Sequence, residues 1–136
     1  MEMVLIRVGI VGAGSAGLFA ARQLGLFSQE HEKLEIQTTL FDAGPGIEQR
    51  HCPQLDEYEC AQCEPCNIMS GVGGAGVWSS GILNLNENIG GKLGELCSKV
   101  NLNAIEVIKD IDDFFEQRGA PNQVFDPHRN ESQLEE

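Results

Sequence analysis

Apolar side chains run almost unbroken through residues 3–11, MVLIRVGIV, and the run stops at Gly12. A β-branched stretch of this kind, without polar alternation, predicts a strand apolar on both faces and buried in a parallel sheet. From Ser15 the small and apolar residues Ala16, Ala20, Leu24 and Phe27 recur at three- and four-residue intervals, so an amphipathic helix is expected from Ser15 to about Phe27. Residues 28–33 are a polar connector. Leu34, Ile36, Thr38 and Leu40 then alternate with Glu35, Gln37 and Thr39 before Phe41-Asp42 and the turn Gly44-Pro45-Gly46, the pattern of a second strand. Residues 3–42 therefore predict a βαβ unit, two parallel strands joined through a helix by a right-handed crossover.

Residues 44–81 follow neither period and are too long for a passive connection, so they are expected to form a Gly/Cys-rich binding loop. Beyond Leu83 the pattern turns helical, over residues 88–119. Asn101 is the expected N-cap, and Leu102, Ile105, Ile108, Ile111 and Phe115 form one apolar face that Gly119 and Pro121 end. Residues 122–136 are polar and expected to be a mobile tail. The length of 136 residues admits one fold unit, placed at residues 1–121.

Charge narrows the function. The formal net charge of −12 repels nucleic-acid phosphates and anionic membrane surfaces. No apolar run reaches the length of a spanning helix, and Glu2 with the glycines at 9, 12, 14 and 17 spoils the first stretch as a signal peptide. A cytoplasmic chain without membrane insertion is expected.

Gly12-Ala13-Gly14-Ser15-Ala16-Gly17 has the G-x-G-x-x-G form, and it lies where a strand ends and a helix opens. In that context glycine suits 12 for the tight turn, 14 for close approach to a pyrophosphate and 17 for helix-on-strand packing, with the helix N–H groups and dipole facing the phosphates. Asp42, at the end of the second strand, is placed to accept hydrogen bonds from an adenosine ribose, and its charge disfavours a 2′-phosphate. The alternative is a glycine-rich turn with no ligand. These features predict the α/β class, with a Rossmann-like FAD/NAD(P)-binding βαβ unit, then the long loop, then C-terminal helices.

Asp42-Ala43-Gly44 has the acid-x-Gly ending of FAD-binding folds of the glutathione-reductase type. The segment GVGGAGVWSSG at residues 71–81 resembles the stretch beneath the flavin in a poorly characterised family of FAD-dependent dehydrogenases, distantly related to electron-transfer flavoprotein-quinone oxidoreductase and geranylgeranyl reductase. The stretch Glu48-Gln49-Arg50-His51-Cys52-Pro53, the cysteines at 60–66 and Leu83-Asn84-Leu85 look like that family's pattern in the same order, over residues 4–121. Where the family is expected to carry Asp and Lys, this chain has Ser80 and Ile82. The resemblance implies FAD as cofactor. Gly12, Ala13, Gly14, Ser15, Ala16 and Gly17 would hold the pyrophosphate, and Asp42 and Ala43 the adenosine ribose. Arg50 joins the cofactor-binding set, and Gly73, Gly74, Ala75 and Gly76 would approach the ring. Consecutive glycines let backbone N–H groups meet a flat anionic ring system without Cβ clashes. Trp78 reads as a core or ring-packing residue. Proteins of this family are several times longer. The chain is therefore expected to be the N-terminal FAD-binding portion of a flavin-dependent oxidoreductase, incomplete relative to the full fold and inactive until a further part or a complementary chain completes it. Its substrate or electron-transfer partner is not named by the residues, and none of them stands out as an acid or base.

Four of the five cysteines, Cys52, Cys60, Cys63 and Cys66, fall on one loop. The C-x2-C-x2-C triplet suits a zinc or iron–sulfur site, although no fourth cysteine has the usual spacing, and redox-active or structural thiols are the other reading. His51 is an alternative ligand. Two further functions remain open on sequence: a metal-binding interaction module docking through the helix at residues 102–115, and an NAD-binding domain.

Overall fold

The computed structural model describes residues 3–56, 59–78 and 83–122. The chain divides into two units, Met1–Ile82 and Leu83–Glu136. The first is a strand, β1 (Val4–Val11), a helix, α1 (Ser15–Glu30), and a second strand, β2 (Leu34–Phe41), followed by the long loop. β1 and β2 pair in parallel from Val4 opposite Leu34 to Val11 opposite Phe41, so both strands end side by side. That register brings the two loops leaving the strands to one end of the sheet.

Local chemistry explains the turns between these elements. Helix α1 runs one turn past Phe27 because the chain finds partners there. The His31 ring stacks on Phe27 with centroids 4.0 Å apart, and its Nδ1 donates to the Phe27 carbonyl at 2.7 Å. Ser28 Oγ donates to the Leu34 carbonyl and accepts from the Ile36 N–H, both at 3.0 Å, which stitches the helix end to the start of β2. The other end of α1 packs too closely for any side chain at 17. A Cβ there would overlap the Gly12 carbonyl oxygen and stand 3.3 Å from Ile10 Cγ2.

The expected two-sided burial of β1 does not occur. Leu5 is 46% and Val11 90% exposed, and Val4 and Ile6 are likewise open. Among the described residues the sheet has two strands, with α1 packed against it, so a strand that is apolar on both faces keeps much of its surface in water. β2 tolerates its place better, because its outward positions are the polar Glu35, Gln37 and Thr39.

The long loop, expected without regular structure, contains three short 3-10 turns at Ile47–Gln49, Pro53–Leu55 and Gly74–Trp78. Expectations that involve residues 79–82, Ser80 and Ile82 included, and the polar tail from 123 onward lie outside the described residues.

In the second unit, the segment predicted as helical from 88 to 119 is two helices, α2 (Leu93–Lys99) and α3 (Ala104–Glu116). Their cap corrects the sequence reading. Asn103, not Asn101, caps α3, its side chain accepting from the Ile105 N–H at 3.0 Å. Asn101 instead adopts a left-handed φ of 56° in the turn between the helices. A helix-period pattern does not mark a break of this length, since Leu102 falls in phase with the face that follows it.

Candidate functional site

The end of the sheet where β1 and β2 finish carries a cavity of about 500 Å³, lined among others by Gly12, Gly14, Asp42, Ala43, Met69 and Gly74. Its size falls within the range of small-molecule sites. Gly12 adopts φ 98°, a left-handed conformation that suits glycine, and its N–H donates to the Phe41 carbonyl at 2.7 Å. The chain thereby turns off β1 directly beside the end of β2. Helix α1 opens on Gly14 with no side-chain cap and no acidic residue in its first turn. Its first N–H groups and positive dipole end are left to other acceptors.

Asp42 organises this end of the unit. Its Oδ2 accepts from the Ala13 N–H at 2.7 Å, and its Oδ1 accepts from the N–H groups of Gly44 at 2.9 Å and Gly71 at 2.7 Å. One carboxylate thus ties together the first glycine loop, the exit of β2 and the second glycine loop. The Gly44 and Ala13 N–H groups hold its carboxyl below the ordinary range against the opposing effect of desolvation, and the Gly71 N–H and the Arg50 guanidinium add smaller lowering contributions. Among the described residues three of its four acceptor positions are filled, which leaves one on Oδ2.

The two glycine loops meet in direct contact. The Gly73 N–H donates to the Ala13 carbonyl at 2.8 Å, and Gly14 and Gly73 form an isolated parallel bridge. A Cβ on Gly74 would come within 3.0 Å of Gly14 Cα, and one on Gly44 within 2.5 Å of the Ser70 carbonyl carbon. Close backbone approach is therefore one physical reason for the glycines of both loops.

Arg50 builds the second loop from inside. It is 7% exposed, and all five of its N–H donors go to backbone carbonyls. Nε and Nη2 reach the Asn67 oxygen at 3.0 and 2.9 Å, Nη2 also that of Ile68, and Nη1 those of Val72 at 2.9 Å and Gly74 at 2.6 Å. The expectation of Arg50 as a cofactor-binding residue meets a guanidinium with no donor to spare, and it is not among the residues that line the cavity.

The other predicted residues divide by place. Gly12, Gly14, Asp42, Ala43 and Gly74 line the cavity. Ala13 is buried at 3% exposure, with its N–H and carbonyl both spent on the loop contacts. Ser15, Ala16 and Gly17 form the first turn of α1, while Ala75 and Gly76 lie in the 3-10 turn Gly74–Trp78 and Gly73 immediately precedes it. A Cβ on Gly76 would stand 3.3 Å from Ser15 Oγ. Met69 and Ser70 also line the cavity and were missed. The signal available for them was adjacency to Gly71, whose N–H is bonded to Asp42.

All five cysteines are free thiols: Cys60 and Cys66 are exposed, Cys52 and Cys63 half-buried, and Cys97 is buried in the second unit. Among the described residues no three His, Cys, Asp or Glu side chains converge to hold a metal ion, so the structure does not assemble the zinc or iron–sulfur set of Cys52, Cys60, Cys63 and Cys66. The ring of His51 engages Asp56 instead, Nε2 to Oδ2 at 2.6 Å. Cys66 differs from its neighbours: the N–H groups of Met69 and Ile68 hold its thiol below the ordinary cysteine range, with the Arg50 charge adding to them against desolvation.

No helix among the described residues is long and apolar enough to cross a membrane. Comparison with known protein families, curated proteins and solved structures finds no match to this chain.

Proposed function

We propose that the first unit is a Rossmann-like dinucleotide-binding unit that holds the adenosine diphosphate half of FAD, and that the chain is the N-terminal FAD-binding portion of a flavin-dependent oxidoreductase. The observation that carries this reading is the convergence on one cavity of the Gly12–Gly14 turn, the uncapped start of α1 and the Asp42 carboxylate. The helix start supplies N–H groups and a positive dipole end for a pyrophosphate. Asp42 Oδ2 offers the remaining acceptor for a ribose hydroxyl, and its negative charge repels a 2′-phosphate. In a chain with a net charge of −12, backbone donors rather than lysines or arginines are what can meet an anionic cofactor here.

When bound, the flavin supplies the hydride or electron chemistry, and the protein supplies position and electrostatics. The residues at the cavity bind and orient. The exposed apolar residues of β1 support completion of the sheet by a further polypeptide segment, and with it a catalytic centre.

The test is ligand titration of the purified chain, followed by calorimetry and by the visible spectrum retained through gel filtration. FAD and ADP-ribose are expected to bind, and ADP-ribose carrying a 2′-phosphate at least about tenfold more weakly. FMN, which has no adenosine, is expected not to bind. Equal binding of FMN and FAD, or no binding of either FAD or ADP-ribose, would overturn the reading, and tighter binding of NAD than of FAD would move it to a nicotinamide site.

A further inference from the structure

We propose that Arg50, which does not line the cavity, is the positioning residue of the dinucleotide site. Through the second glycine loop it fixes the Asp42 carboxylate, and with it the affinity of the cavity for a ribose hydroxyl. The ligand named here rests on the dinucleotide reading, whereas the hold of Arg50 on Asp42 is measurable with no ligand at all.

Arg50 is 7% exposed and forms no ion pair among the described residues, so its charge is met by carbonyl oxygens. Two hydrogen-bonded routes lead from it to Asp42. On the first, Nη1 holds the carbonyls of Val72 at 2.9 Å and Gly74 at 2.6 Å, on either side of Gly73. The Gly73 N–H donates to the Ala13 carbonyl at 2.8 Å, and the Ala13 N–H donates to Asp42 Oδ2 at 2.7 Å. On the second, the Arg50 stem packs against Gly71, where an added Cβ would stand 3.2 Å from Arg50 Cδ. The Gly71 N–H donates to Asp42 Oδ1 at 2.7 Å. The two routes close into a ring that reaches both oxygens of the carboxylate.

The ring needs an arginine. Carbonyl oxygens that converge on one point repel each other, and a positive charge at that point lets them stay together. The planar fork reaches Asn67 and Ile68 at one end of the loop and Val72 and Gly74 at the other. A lysine keeps the charge but has three donors and no fork, so it cannot hold both ends. With the ends released, the N–H groups of Gly71 and Gly73 lose their fixed aim. The carboxylate then keeps its neighbour Gly44 and loses its orientation toward the cavity.

The experiment compares the full chain with Arg50→Lys at a temperature where circular dichroism shows both folded. Carboxyl-carbon NMR follows the titration of Asp42, its signal identified by its absence in Asp42→Asn. In the unsubstituted chain the N–H groups of Gly44, Ala13 and Gly71 and the charge of Arg50 hold the Asp42 midpoint below the ordinary value. In Arg50→Lys the midpoint should move up toward that value, and the affinity for ADP-ribose should fall at least about fivefold. Arg118→Lys, in the second unit, should move neither. Because coupling acts in both directions, saturating ADP-ribose should slow solvent exchange of the Arg50 Nε–H in the unsubstituted chain, again at least about fivefold. That measurement keeps the proposal falsifiable should Arg50→Lys fail to fold. An Asp42 midpoint unmoved in folded Arg50→Lys, an unchanged affinity for ADP-ribose, or an Arg50 Nε–H indifferent to bound ADP-ribose would overturn it. If the unsubstituted chain binds no ADP-ribose, the dinucleotide reading falls and the carboxyl titration alone decides whether Arg50 holds Asp42.

Discussion

Replacing Arg50 by methionine removes the five N–H donors that hold the second glycine loop while keeping an unbranched apolar stem of similar reach. The carbonyls of Asn67, Ile68, Val72 and Gly74 then lose their partner. An unsatisfied buried carbonyl costs about 1–3 kcal/mol, and all four residues are half-buried, so water recovers much of it and the lower end applies. Four carbonyls at about 1 kcal/mol each give a loss of about 4 kcal/mol for the first unit. That is a large part of the stability a domain of this size holds. Trp78 is the only tryptophan and lies in the same unit, so urea unfolding followed by its fluorescence reads the effect directly. Arg50→Lys keeps the charge and three donors without the planar fork, and should cost about half as much, about 2 kcal/mol. The order Arg, Lys, Met separates loss of hydrogen bonds from loss of charge. A change below about 1 kcal/mol for Arg50→Met, or equal losses for both variants, would refute the account of Arg50 as the organiser of residues 67–74.

Gly17→Ala forces a methyl into the Gly12 carbonyl oxygen and should cost about 2–4 kcal/mol, together with at least about tenfold in affinity for ADP-ribose. Gly25→Ala, in the same helix with nothing within 4 Å of the added carbon, should instead stabilise by about 0.5–1 kcal/mol, and urea midpoints compare the two. Asp42 titrates below its ordinary value of 3.8 in the folded chain, so its contribution to stability is complete above that value and is lost as the pH falls through the folded one. Trp78 fluorescence against pH should show this acid loss in the native chain and a flatter profile in Asp42→Asn. For α3, Asn103→Ala should lower stability by about 1 kcal/mol through its lost cap, whereas Asn101→Gly should change little because glycine adopts the left-handed turn freely, as far-UV circular dichroism melting can check.

Much of the first unit was legible because its signals are local. The apolar run, the three- and four-residue spacing and the polar–apolar alternation each placed β1, α1 and β2 within a few residues of their ends. Gly12, Gly14 and Asp42 could be assigned to one site because a parallel strand–helix–strand brings the two strand ends together. Arg50 could not be placed in this way. Its partners are main-chain carbonyls, which every residue carries, so no pattern of side chains announces them. The split between α2 and α3 escaped for a related reason, since a short turn barely disturbs a helical period.

What the sequence by itself determined is the order of elements and the glycines and acid that meet at the end of the sheet, since these follow from periodicity and from steric need within a few residues. Only the tertiary structure decided that Asp42 spends most of its carboxylate on backbone N–H groups 29 residues away on either side, at Ala13 and Gly71. It likewise decided that Arg50 is a buried brace and that β1 keeps much of its apolar surface in water. Each of these depends on which backbone groups arrive next to a side chain after folding, and on how many strands stand beside it. Neither quantity is encoded in the neighbouring residues of the chain.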